Sequence, residues 1–519
     1  MKVNRNVEAI IVAALYLTCL YFWTLPIQKN PVPYGEVDAV SHYAVADYTT
    51  SSDRSITTLP YYIDMRYGKD NKFKEHTLWY PPPFHTTLAI ARLFGGNDQP
   101  IFIANAILCS LIVISVYFLI RQFFGFEAGI LAAFMLIFSV RDIMVYLWGQ
   151  WPERMGLAFL PLVLYCFYRY AVSYLEKDEK PIYIYLMAIF LGINMFIHPM
   201  DFFHTAAAVM VLSVFLFIKE RRLFFNIKHV AFAIVIFGLL ISIFPYQTLN
   251  VFVRAQSDKE TGGAGDVSRL FYWFKAESNP GVPDSYFSYK QMIGPYWTIP
   301  LIFLGLLFLV MRRERKDLVL LAWIISLYII LHLDFIGRGR VHRSLSATAH
   351  IFYPLMVLGL FYIISLIPTI KNYKSIAKPA FAVIFGIILF ASFGTTASES
   401  LFTAYSGLMR VNPSQVELAN WMRESSTPDD AGFYHLGSIS VAKTRWLWMM
   451  GHRFIVSPLA VAVDQYNITY VIVDYSDVSA LGDKVSIDKL REWESTNSGN
   501  MSLIYNKNTI KVYELGTKQ

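Results

Sequence analysis

The chain is poor in cysteine. It has three in 519 residues, Cys19, Cys109 and Cys166. All three fall inside apolar runs, so no disulfide framework holds the polar parts of the chain together. Charge is also scarce: Asp, Glu, Lys and Arg make up 16% of the residues, against 55% hydrophobic ones. A soluble protein of this size has no need of so much apolar sequence. There is no Gly-rich phosphate loop, no zinc-ligand spacing and no Ser-His-Asp signature. There is no internal repeat and no low-complexity tract.

What is present is apolar sequence in long blocks. A helix needs roughly 20 such residues to cross the hydrocarbon core. Eleven runs come near that length: 7–26, 100–120, 127–147, 154–175, 181–197, 201–218, 229–248, 295–311, 317–334, 345–367 and 378–396. The first reads as a retained anchor helix, because bulky "YFWTLPIQKN" stands where a signal peptide would carry small residues. Basic residues set the orientation. With the N-terminus inside, "MKVNR", "RQFFGFE", "LEKDEK", "KERRLFFNIK", "RRERKD" and "TIKNYKSIAK" are cytoplasmic. Much of the net charge of +7 lies there, and it is no argument for nucleic acid as a partner.

The expected fold is an α-helical polytopic protein of the plasma membrane with about eleven crossings. Residues 1–409 form the membrane domain, with long outer loops at 27–99 and 249–294. Residues 410–519 form a small extracytoplasmic α/β domain: "SQVELANWMRESS" has helical periodicity with a Ser at its start, and "ITYVIVDYS" and "NTIKVYEL" read as strands. The Gly-rich "DKETGGAGDVSR" (258–269) reads as a linker.

Polar anomalies gather on the outer side. The first outer loop opens with "YGEVDAVSHYAVADY". If it is helical, Asp38 and His42 share a face; if it is extended, Glu36 and Asp38 do. A carboxylate there can deprotonate an acceptor or bind a metal; the plainer reading is a solvated loop acid. In "WGQWPERMG", Glu153 and Arg154 read either as site residues or as an interfacial ion pair within a Trp belt. Arg141 and Asp142 lie within the third run, where ionisable groups face the interior. In "IHPMDFFH", His198, Asp201 and His204 have residue types that bind metals, but Pro199 breaks the helix between them. Finally, "DFIGRGRVHRS" (334–344) puts Arg338, Arg340, His342 and Arg343 outside, against the charge bias. A phosphate accounts for that density better than headgroup anchoring does, because the guanidinium fork matches it.

Acids to activate an acceptor and arginines to hold a leaving phosphate are the parts of a sugar transfer from a polyprenyl-phosphate donor. At these residues the chain resembles the GT-C superfamily of integral-membrane glycosyltransferases, in its oligosaccharyltransferase-like branch. The resemblance implies that Asp38 in "GEVDAVSH" is the essential first-loop acid, serving as base or metal ligand, with Glu36 and His42 beside it. It implies that "WPERMG" is the second-loop motif, keeping Glu153 and Gly156 but carrying Trp151 at the Asp position. The arginine cluster before "HIFYPLMVLG" looks like the family's late outer Arg. The outer domain's "ANWMRESSTPDDA" and "GHRFIV" are similar to later family patterns. A family site of this kind implies Mg²⁺ or Mn²⁺ at Asp38 and Glu153. It also implies a lipid-linked sugar donor, with a glycan, lipid or protein as acceptor, and an inverting reaction. The acceptor-peptide signature is not kept: "FYHLG" (433–437) is the nearest segment and lacks its acid. Two other classes stay open, a transporter and a non-enzymatic protein that binds lipid-linked glycans or a partner.

Overall fold

The computed structural model describes residues 4–51, 82–95, 98–245, 248–249, 289, 293–333, 347–366, 374–403, 410–427, 431–458 and 468–516. Each apolar run is occupied by helix. The bundle begins with α1 (Arg5–Lys29), capped by the Asn4 side chain. Two helices of the long first loop follow, α2 (Val37–Ser51) and α3 (Pro83–Leu93). Then come α4 (Gln99–Phe124), α5 (Phe126–Ile137), α6 (Val140–Trp148), α7 (Trp151–Leu157), α8 (Phe159–Leu175), α9 (Ile182–Ile197) and α10 (Pro199–Glu220). The membrane part closes with α11 (Ile227–Ile241), α12 (Ile299–Arg312), α13 (Asp317–Leu333), α14 (Thr348–Leu366) and α15 (Lys374–Thr403). Among the described residues, six helices are long and apolar enough to span a membrane, counting α7 and α8 as one. The pair α5 and α6 makes a seventh span bent by 46°, and four further apolar helices are shorter.

The breaks between helices have local causes. Ser139 restarts the chain as α6, its hydroxyl accepting from the Asp142 amide. Gly149 ends α6 at φ +89°, and Pro199 opens α10 after an extended His198. Long-range ion pairs fasten one end of the bundle. Arg121, near the end of α4, makes a fork of 2.7 and 2.9 Å to Glu8 at the start of α1. Arg315 does the same to Glu220 at 2.8 and 3.0 Å.

The opposite end carries α2, α3 and the C-terminal elements. These are α16 (Pro413–Glu424), β1 (Gly432–Leu436), α17 (Val441–Gly451), β2 (Phe454–Val456), β3 (Ile468–Asp474), α18 (Ser476–Ala480), α19 (Lys484–Asn497), β4 (Met501–Lys507) and β5 (Ile510–Leu515). The strands form one sheet in the order β2-β1-β3-β5-β4, parallel from β2 to β3 and antiparallel beyond. The expected helix and both expected strands are present. The cap of α16 is Asn412, in a reciprocal box with Gln415, and Ser414 lies inside the first turn. "FYHLG" is strand β1 and its turn, with His435 fully buried.

Candidate active site

The loop after α1 is helical over Val37–Ser51, which settles the open choice at Asp38 and His42. Asp38 occupies the first turn of α2, where unpaired amides favour a negative charge. Its surroundings are fixed through the backbone. The Glu36 amide donates to the Leu147 carbonyl at 2.9 Å. A Cβ on Gly149 would lie 1.8 Å from the Ala39 nitrogen, so only glycine lets the α6–α7 turn press on the start of α2. Asp38 and Glu36 are both half-buried. Burial, and then the Asp38 charge, raise the Glu36 carboxyl above the usual range.

One helical turn further on, His42 is buried. Its Nδ1 lies 2.8 Å from Nε2 of His85 on α3. The His42 ring sits edge-on to Phe84 at 5.8 Å and tilted against Trp151 at 6.1 Å. Trp151, at the position where the resemblance implies an acid, is 1% exposed and donates its indole N–H to the Tyr146 carbonyl at 2.9 Å.

Glu153 and Arg154 are both buried within the protein. Arg154 is ion-paired with Asp142 and lies 3.5 Å from Glu153. Asp142 also accepts from the Ser139 hydroxyl at 2.6 Å and meets Nε2 of His350, on α14, at 2.7 Å. Buried charges of this kind persist only when paired and hydrogen-bonded. Arg141 is buried too, its guanidinium 5.0 Å from the centre of the Trp148 ring.

At the start of α10, Asp201 takes His198 at 3.1 Å and His204 at 3.8 Å. Asn194 donates to the Thr205 hydroxyl at 3.0 Å. A Cβ on Gly156 would fall 2.3 Å from Asp201 Oδ2 and 3.0 Å from Asn194 Oδ1. The second and third outer turns are therefore one polar centre, with Gly156 as the point of contact.

Among the described residues no group of three or more His, Cys, Asp and Glu side chains could hold a metal ion. Of the ligand sets implied by sequence, His198 and Asp201 lie together at 3.1 Å, without a third carboxylate, thiol or imidazole that completes a metal site among the described residues. Trp151 stands at the remaining position, and no step is routed through a metal. The cluster Arg338, Arg340, His342 and Arg343 lies outside the described residues. His85 and His350 were not singled out from sequence. Their partners are 43 and 208 residues away, beyond any local pattern.

This bundle, with its α/β cap over the first outer loop, is the GT-C glycosyltransferase fold. The structure of ArnT from Cupriavidus metallidurans bound to undecaprenyl phosphate matches over 98% of this chain and 98% of that one, with a TM-score of 0.58 and 11% identity. The apo oligosaccharyltransferase of Archaeoglobus fulgidus matches over 89% of this chain and 69% of that one, at 0.56 and 15% identity. The same archaeal enzyme, AglB, in complex with an inhibitory peptide and a dolichol-phosphate, gives 0.56 and 14% identity over the same shares. At such identities the likeness is one of fold. By sequence the chain belongs to the family of unknown function DUF6541, whose profile matches residues 4–348. No curated protein matches it.

Proposed function

We propose that this protein is a membrane glycosyltransferase that moves a sugar or oligosaccharide from a polyprenyl-phosphate-linked donor to an acceptor hydroxyl or amide on the outer face. The observation that carries the reading is the half-buried carboxylate pair Glu36 and Asp38 at the first turn of α2, on the end of the bundle capped by the C-terminal domain. Two neighbours of the same fold were solved with polyprenyl phosphates, which supports a donor of that class.

Asp38 accepts the acceptor's proton as the acceptor atom attacks the anomeric carbon. The bond from that carbon to the phosphate oxygen breaks, and its electron pair leaves on the lipid phosphate. A single displacement of this kind inverts the anomeric centre. Glu36, with its raised carboxyl, keeps a proton to higher pH than a free glutamate. The buried His42 and His85 hold the back of α2 against Trp151. Arg338, Arg340 and Arg343 hold the departing phosphate, where charge-assisted bonds strengthen as the negative charge develops. The buried pair of Glu153 and Arg154 shapes the floor of the site.

The test is transfer from a radiolabelled lipid-linked sugar pool by purified variants. Asp38→Asn is expected to lower turnover by at least about 100-fold with donor binding retained. Lys in place of each arginine in turn keeps charge but loses the fork, and at least one such variant is expected to raise the donor KM or lower kcat sharply. Wild-type turnover by Asp38→Asn overturns the base assignment. Retained lipid binding with no transfer by the wild-type protein would make the chain a binder.

A further inference from the structure

The C-terminal domain touches α2 at both ends. Near its start, the Trp446 indole N–H donates to the Gly35 carbonyl at 2.8 Å, and the Trp446 and Tyr43 rings meet at 5.2 Å. Near its end lies Asp47, 0% exposed. Its Oδ2 is 2.7 Å from Nε2 of His452, which follows α17, and 3.3 Å from Nη2 of Arg423 on α16. Arg92 of α3 is ion-paired with the same carboxylate, and its guanidinium also donates to the Asp47 carbonyl at 3.1 Å and the Thr50 hydroxyl at 2.9 Å. Asp98 stands alongside, 3.5 Å from Arg92 and accepting from the Tyr43 hydroxyl at 3.0 Å. Burial pushes the Asp47 carboxyl up. The His452 hydrogen bond and the charges of Arg423 and Arg92 more than offset this and hold it below the usual range.

A fully buried carboxylate shared between two parts of a chain is a costly way to make a mere contact. Removing its partners leaves an uncompensated charge. The connection is also directional: α2 carries Asp38 at one end and Asp47 at the other, and a helix is stiff over so short a span. Rotating α2 about its axis, or sliding it, moves both carboxylates together.

We propose that Asp47 is a positioning residue. Through Arg423 and His452 it locks α2 to the extracytoplasmic domain, and this domain thereby sets where the Asp38 carboxylate points. The inference rests on the transferase reading only for its effect on turnover; the lock itself is a property of the fold.

The experiment uses the full chain in lipid nanodiscs. Hydrogen exchange is followed over residues 37–51, with α1 and α4 as internal references, and transfer kinetics are measured on the same samples. Arg423→Gln with His452→Gln is expected to speed exchange in α2 about tenfold. The references should not change, and kcat should fall about tenfold at constant donor KM. Arg423→Lys, which keeps the charge, is expected to preserve both. If the double variant fails to fold, Asp47→Asn takes its place with the same expectations. Unchanged exchange in α2 overturns the lock. Faster exchange with wild-type kcat overturns the positioning role. Faster exchange in the variant, with no transfer even by the wild-type protein, upholds the lock and removes the glycosyltransferase reading instead.

Discussion

The polar side chains of this protein divide by depth. Asp38 and Glu36 are half-buried, while Asp47, Asp142, Asp201 and Asp474 are buried, each beside at least one histidine. Asp474 is heavily bonded in the C-terminal domain: it accepts from Gln415 at 2.7 Å, from the Ser476 amide at 2.8 Å and meets His435 at 3.2 Å. Burial raises its carboxyl, but the His435 hydrogen bond and charge and the Ser476 and Gln415 bonds bring it below the usual range. A depressed carboxyl contributes stability that is present above its unfolded pKa and is lost as pH falls through the folded value. The outer domain is therefore expected to hold at neutral pH and to loosen as pH drops below about 3.9. Tryptophan fluorescence checks this, since Trp446 and Trp448 are buried in this region. Asp474→Asn should already be about 1–3 kcal/mol less stable at pH 7 and lose less on acidification. An unaltered acid transition in this variant would place the titration elsewhere.

Between elements, the contacts that matter are those where one helix breaks beside another. Gly156 in α7 lies against Asp201 of α10 and Asn194 of α9. A methyl group there would overlap Asp201 Oδ2, so Gly156→Ala is expected to separate the second and third outer turns. The measurable result is a lower thermal midpoint and at least about tenfold lower transfer, because overpacking costs about 1–3 kcal/mol. Gly156→Ser serves as a second, larger probe in the same direction. This contact marks the limit of what sequence can convey. The 3.6-residue period made Asp38 and His42 neighbours legible as soon as α2 was taken as helical. It said nothing of His85, because α3 reaches His42 through tertiary contact. "WGQWPERMG" has the composition of an interfacial belt, yet its Trp151, Glu153 and Arg154 are all buried, with α2 and α4 against Trp151 and α6 and α14 against Arg154. Burial of that kind comes from neighbours, which a local window cannot see.

At the scale of the whole molecule the sequence was far more informative. Each apolar run became helix, because each had to satisfy its backbone within itself once surrounded by hydrocarbon. The change of composition after residue 410 became a sheet, because β3 and β5 alternate or run apolar at the strand period. The Lys and Arg bias supports a cytoplasmic N-terminus and an outer C-terminal domain. The three native thiols are buried, so one added cysteine gives a clean readout. Val485 on α19 is 65% exposed. Val485→Cys is expected to react with an impermeant maleimide in intact cells, and to show no gain on lysis. Labelling only after lysis would invert the orientation and place Asp38 on the cytoplasmic side.

The bond from Arg423 to Asp47 spans 376 residues of sequence, and that from His452 spans 405. During synthesis α2 is made well before these two partners. At about 5–20 residues per second, α2 waits roughly 20–75 s before Arg423 exists. Throughout that interval the membrane helices can insert, while the Asp47 carboxylate still lacks Arg423 and His452. A ribosome that stops short of Arg423 thus releases a chain that is integrated but has an unanchored acid helix. The first loop is completed by a part of the chain translated well after it.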